Sequence, residues 1–159
     1  NMDLFRPSPQ NEARAALRLP LDGKLVLFCA GMRPEKRFDL VQAAVDRLKE
    51  EDGRVARVVA TGLTHDAVPR YMNACDVLVL ASVAEGSPLV VREALACKLP
   101  VVSSAVGDVE QLIAGLPGCY ITGAPAATDA AVLAARLTDS LAGTRCGGGN
   151  HKGCPYGPW

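Results

Sequence analysis

This chain of 159 residues has no excess of charge: 17 Lys and Arg balance 17 Asp and Glu. Without net positive charge there is no electrostatic footprint for a phosphate backbone, so DNA and RNA are excluded as expected partners. Aromatic residues are scarce, at 4%, so a core has to be assembled from Ala, Val, Leu and Ile. No apolar run approaches the roughly 20 residues that cross a bilayer, which leaves at most a peripheral membrane association. The opening residues, Asn1-Met2-Asp3-Leu4-Phe5, carry neither a basic stretch nor an apolar one. No secretory signal is read there, and a cytoplasmic location is expected.

What is present is a globular composition: 49% hydrophobic and 21% charged residues, with 15 Gly and 11 Pro. The length fits one domain of ~100–200 residues. Cys29, Cys75, Cys97 and Cys119 sit in or beside apolar runs and read as reduced, buried, small hydrophobes.

Strand and helix patterns alternate. Leu25-Val26-Leu27-Phe28-Cys29 and Val77-Leu78-Val79-Leu80-Ala81 are unbroken apolar runs, the pattern of strands buried on both faces. Val55 to Ala60 reads as a further strand, with Arg57 placing it at an edge or marking its end. Pro100 to Ser103 and Cys119 to Ile121 complete five strands. Helices are predicted over Glu12–Leu19, about Arg37–Glu51, Asp66–Ala74, Pro88–Cys97, Val109–Ala114 and Ala127–Leu141. In the second of these, Leu40, Val41, Ala44, Val45 and Leu48 form one apolar stripe. Ser87 is the expected N-cap of the fourth, with Pro88 at its first position. The fold class is therefore α/β: a Rossmann-like three-layer α/β/α domain with a mostly parallel sheet, over residues 1–142. Residues 143–159 read as a flexible Gly-rich tail that need not be native. Its Cys146, His151 and Cys154 supply three metal-type ligands where a structural zinc site takes four, so no metal site is read there. Cys146 and Cys154 could pair as a disulfide under oxidising handling.

The densest chemical signal is Glu85-Gly86-Ser87-Pro88-Leu89-Val90-Val91-Arg92-Glu93. Glu85 falls in the loop leaving the third strand, and Glu93 falls in the helix that follows. Ligands of open α/β sheets bind at the carboxyl ends of the strands, where such loops gather. A helix start adds free N–H groups and a positive dipole end, suited to phosphate. Five residues of helix rise only about 7.5 Å, so the two carboxylates can flank a bound diphosphate. Arg33, Lys36 and Arg37 cluster at another helix start, an unfavourable place for cations unless an anion joins them. His65 lies in a loop at a strand's carboxyl end, within reach of a base or phosphate or simply in solvent.

These segments, with Leu99-Pro100-Val101-Val102-Ser103 and Val106-Gly107-Asp108 downstream, closely resemble the donor-binding C-terminal half of retaining GT-B glycosyltransferases of family 4, the glycosyl transferases group 1. The resemblance runs from about Asn1 to Leu141. It includes Gly31-Met32-Arg33-Pro34-Glu35-Lys36 as the phosphate loop and Val68 to Asp76 as the helix before the third strand. It implies a nucleotide-diphosphate sugar as substrate. Glu85 then holds hydroxyls of the donor sugar, and Gly86, Ser87, Pro88 and Leu89 form the turn against sugar and diphosphate. Glu93 accepts from the ribose, Lys36 neutralises the leaving diphosphate, and the backbone of Leu63 meets the base. Glu85 and Lys36 are the implied catalytic residues. No metal and no cofactor are expected. The family often has an arginine after the glycine of the first loop. Here Gly31 takes that place, and Arg33, two residues on, is the replacement on offer. Lys98 stands where glycine or asparagine is common.

The family has two Rossmann-like domains, with the acceptor site on the first, and this sequence matches only the second. The expected function is the donor-binding domain of a retaining, metal-independent glycosyltransferase, inactive without an N-terminal acceptor domain or a separate chain supplying it. The alternatives are a non-catalytic nucleotide or nucleotide-sugar binding module, and a partner domain docking on an acceptor-binding chain.

Overall fold

The computed structural model describes residues 2–143; the tail with Cys146, His151 and Cys154 lies outside the described residues. The elements follow the expected alternation: α1 (Gln10–Ala16), β1 (Lys24–Cys29), α2 (Phe38–Glu51), β2 (Val55–Ala60), α3 (Val68–Ala74), β3 (Val77–Leu80), α4 (Leu89–Ala96), β4 (Val101–Ser103), α5 (Val109–Ile113), β5 (Tyr120–Ile121) and α6 (Ala130–Ala142). The strands form one sheet in the order β2-β1-β3-β4-β5, and every neighbouring pair is parallel. The sheet is wholly parallel, and β2 with its Arg57 is an edge strand.

The period-two alternation of the strands divides the core into two layers. Leu25, Leu27, Leu78, Leu80 and Val101 point to one face, where they meet Met72 of α3, Val91, Ala94 and Leu95 of α4, and Val109 and Ile113 of α5. Val26, Phe28, Val77, Val79 and Val102 point to the other, against α2 and α6. The stripe read from the sequence of α2, Leu40 to Leu48, is buried there in full. Leu133 and Leu137 of α6 complete that layer.

Three local expectations are corrected. The first helix runs from Gln10 to Ala16 rather than Glu12 to Leu19, because Arg18 takes a left-handed φ of +55° and closes it, and Arg14 within it is turned inward. Its Nε donates to the Ala74 carbonyl at 2.8 Å and its Nη2 meets Asp76 Oδ2 at 2.8 Å, while the same carboxylate oxygen accepts the Leu25 N–H at 2.6 Å. This buried pair fastens α1 to the starts of β1 and β3. The last helix starts at Ala130, capped by Asp129, whose carboxylate accepts the Val132 N–H at 2.9 Å; Pro125–Ala127 form a separate 3-10 turn. Ser87 does not cap α4. The capping position is Pro88, and the serine hydroxyl is engaged elsewhere. The departure at Lys98 has a backbone cause: its φ is +56°, in the left-handed region just past α4, where glycine or asparagine is cheaper.

Cys75 and Cys97 are buried, whereas Cys29 and Cys119 are only partly so, and all four are thiols. No helix among the described residues is long and apolar enough to cross a membrane.

Candidate functional site

After β1 the chain continues to β2 on one side of the sheet, and β3 then pairs with β1 on the other. The carboxyl ends of β1 and β3 therefore flank a topological switch point, the place where open α/β sheets leave a crevice. Two loops border it, residues 30–37 after β1 and 81–88 after β3. Main-chain atoms join them: the Val83 N–H donates to the Glu35 carbonyl at 2.9 Å. Pro34–Lys36 form a 3-10 turn, and Arg37, at φ +50°, swings the chain into α2. This geometry turns Lys36 across the crevice, where its ammonium pairs with the Glu85 carboxylate. Both side chains are partly buried, so the two charges neutralise each other while the pair keeps some access to water.

The 85–88 turn is held from behind. Gly107 has φ +53°, and a Cβ on it would stand 1.9 Å from the Gly86 carbonyl oxygen, so only glycine lets the two backbones approach. Next to it, Ser87 Oγ donates to Asp108 Oδ2 at 2.9 Å. Arg92 Nη2 reaches the same oxygen at 2.6 Å and Ser87 Oγ at 3.2 Å. The Ser87 hydroxyl, and then Arg92, hold the Asp108 carboxyl below the usual carboxylate range. Ser104 braces the same loop, its Oγ donating to the Ser82 carbonyl at 2.7 Å. With Ser87 occupied in this way, no side chain caps α4. Its first N–H groups remain as donors at the positive end of the helix.

One turn further along α4, Glu93 is 6% exposed. A buried carboxylate needs a donor, and His65 Nε2 supplies one at 2.9 Å to Oε1. An ionised carboxylate only accepts, so this nitrogen carries the proton. Phe5 packs on the imidazole at 5.0 Å between ring centres. Cys29, at the end of β1, feels the same neighbourhood: burial, and then the Glu93 charge, lift its thiol to about 11.

The structure thus brings Lys36, Glu85, Gly86, Ser87, Pro88 and Glu93 to the carboxyl end of the sheet. Arg33 is not among the converging groups. Its side chain is 73% exposed, 3.9 Å from Glu35. Leu63 lies in the loop that carries His65 and is half-exposed, and Leu89 stands out into solvent with Met32 and Val83. Sequence reasoning missed three supports: Gly107, Asp108 and Arg92. The Val106-Gly107-Asp108 pattern was the available signal, but its spacing does not say that a backbone must pass within contact of Gly86. The role of His65 was also open, because a loop histidine shows no partner until the fold brings α4 beneath it. Among the described residues, no three His, Cys, Asp or Glu side chains come together as ligands for a metal ion.

Comparison with known proteins bears on family and fold. The family model described as glycosyl transferases group 1 matches residues 18–141. A D-inositol 3-phosphate glycosyltransferase of Mycobacterium leprae is 31% identical over 150 residues, covering 77% of this chain and 35% of that protein. The chain thus spans about a third of the length of that relative. Sucrose-phosphate synthase from Thermosynechococcus elongatus superposes with a TM-score of 0.71 at 27% identity, over 89% of this chain and 41% of that one. Anabaena Alr3699/HepE, solved in complex with UDP-glucose, shares the fold with a TM-score of 0.58 at 19% identity, over 89% of this chain and 50% of that one.

Proposed function

Since the chain belongs to the glycosyl transferases group 1 family, with the C-terminal part of its GT-B fold, we propose that the crevice between β1 and β3 binds the nucleotide-sugar donor of a retaining glycosyl transfer. The observation that carries this reading is the meeting, at the switch point, of one ammonium, two carboxylates and an uncapped helix start. A nucleoside diphosphate sugar presents the complementary set: a dianionic centre with a hydroxyl-bearing ring on each side. The UDP-glucose in the Alr3699/HepE structure supports that ligand class.

In this reading the diphosphate lies over the start of α4, its oxygens accepting from the first amides and from Lys36. Glu85 accepts from the hydroxyls of the sugar, Glu93 accepts from the ribose, and the backbone at Leu63 meets the base. Cleavage of the bond between the sugar and the phosphate oxygen builds negative charge on the departing diphosphate. A helix start and an ammonium already fixed there stabilise that charge without reorganising. Arg33, on a loop, is long enough to join them. Protein groups take the role that a divalent ion has elsewhere, and donor binding is expected to be indifferent to EDTA. The 159-residue chain on its own offers one wall of a cleft, so it is expected to bind donor without transferring sugar.

Calorimetric titration with UDP, GDP, ADP and their sugars tests the reading. Glu93→Ala removes a charge-assisted hydrogen bond worth ~1.5–3 kcal/mol, so every nucleoside diphosphate should bind roughly ten- to a hundredfold more weakly. Glu85→Ala should weaken only the sugar-bearing ligands, and it frees Lys36 for the plain diphosphate. Equal losses for plain diphosphate in both variants would sink the assignment.

A further inference from the structure

We infer that His65 is a positioning residue for Glu93, setting the preference of this site for ribose over sugars that lack its cis hydroxyls. The inference rests on the donor-site reading above and adds a residue which that reading does not use.

Glu93 arises from α4 and His65 from the loop between β2 and α3, and the fold alone brings them to 2.9 Å. The histidine side chain is 48% exposed while the carboxylate side chain beneath it is 8% exposed. The imidazole therefore covers Glu93 from the solvent side instead of filling a core. Its bond goes to Oε1, which restrains the carboxylate and occupies one of its roughly four acceptor sites, leaving acceptor capacity for hydroxyls. A cis diol needs an acceptor held in one orientation. A free glutamate rotates about three side-chain torsions, and ordering it on binding costs affinity. His65 meets that cost before the ligand arrives.

The imidazole is itself held. The Phe5 ring, 4% exposed, lies against it at a tilt of 58°. The segment carrying Phe5 is tied to α3 through Asn73, whose Nδ2 donates to the Arg6 carbonyl at 3.0 Å and whose Oδ1 accepts the Ser8 N–H at 2.9 Å. One chain of contacts thus runs from the N-terminal segment through Phe5 and His65 to the Glu93 carboxylate.

The test titrates the full chain with UDP, GDP and ADP and with their 2′,3′-dideoxy forms. Wild type should prefer the ribose form by at least tenfold. In His65→Ala that preference should fall below about threefold, with the affinity for the dideoxy form unchanged. His65→Phe keeps a ring against Phe5 but has no donor, and should lose the preference too. His65→Gln restores a donor near the same place and should recover part of it. If His65→Phe and His65→Ala, folded by circular dichroism, keep the wild-type preference, the inference is overturned. Equal weakening toward both forms also overturns it, since that is the mark of a merely structural contact. A wild-type chain that binds none of the three diphosphates instead removes the donor-site reading, and this inference with it.

Discussion

Replacing Lys36 by alanine removes a cation and uncovers the carboxylate it was balancing. In the resting structure the ammonium is committed to Glu85. If a diphosphate sits over the start of α4, the lysine bridges the two anions. The variant then loses one charge-assisted hydrogen bond, about 1.5–3 kcal/mol. It also leaves Glu85 facing the phosphate. Two unit charges some 8 Å apart at an effective dielectric of 20 repel by roughly 2 kcal/mol. The sum, about 3.5–5 kcal/mol, is a loss of a few hundred- to a few thousandfold, enough to bring a diphosphate down to the affinity of the bare nucleoside. The second term is separable. Adding Glu85→Gln to Lys36→Ala should recover about 2 kcal/mol, roughly thirtyfold, although both substitutions strike the same site. Titration of nucleoside and nucleoside diphosphate into wild type, both single variants and the double variant decides it. Folding should be little affected, since an ion pair with access to water contributes about 1 kcal/mol or less. A folded Lys36→Ala protein that binds diphosphate as wild type does, or a double variant no better than the single one, would refute the reasoning.

Other outcomes follow from the same geometry. Gly107→Ala places a methyl group 1.9 Å from the Gly86 carbonyl oxygen at a left-handed φ. It should displace the 85–88 turn, cost ~2 kcal/mol or more in urea unfolding and abolish measurable nucleotide-sugar binding; wild-type stability and binding together would contradict the close approach. Arg14→Ala strands Asp76 beneath α1 without its guanidinium partner, and should cost ~3–5 kcal/mol by the same unfolding measurement. A loss under 1 kcal/mol would mean that water reaches the carboxylate. Cys29 holds its proton to about 11 when folded, against 9.0 as the ordinary value, so the unfolded chain loses that proton first. Its stabilising contribution is full below pH 9 and is lost as pH rises toward 11, on the order of 2 kcal/mol. Cys29→Ala should show a shallower fall over that window.

The layer structure was open to reading from the sequence because it depends on local pattern. Continuous apolar runs such as Val77–Leu80, short and rich in β-branched residues, suit strands covered on both faces, and the α2 stripe packs against them. The site was readable to the extent that it is a spacing: Glu85 and Glu93 are carried by one turn and one helix, so eight residues of sequence set their separation. What escaped was decided by long-range contact. Ser87 has the chemistry of a cap, but Asp108, 21 residues away, takes its hydroxyl. Arg14 sits in a polar helical pattern and is nonetheless buried, because Asp76 and the four carbonyls of Pro20, Leu21, Gly23 and Ala74 gather around it. Neither competition leaves a mark in a window of a dozen residues.

The main-chain bond between Val83 and Glu35 bears on how such a crevice can change over generations. The two loops are joined there by main-chain atoms that every residue except proline possesses. Replacing the side chain at either position leaves the bond intact, and only a proline at 83, which has no N–H, or an inserted or deleted residue would undo it. On the donor-site reading proposed above, the exposed side chains of Met32 and Leu89 are free to change by single substitutions beside the bound ligand, while the spacing of the two loops is inherited unaltered. Drift in ligand preference and preservation of the frame are, in this arrangement, assigned to different atoms.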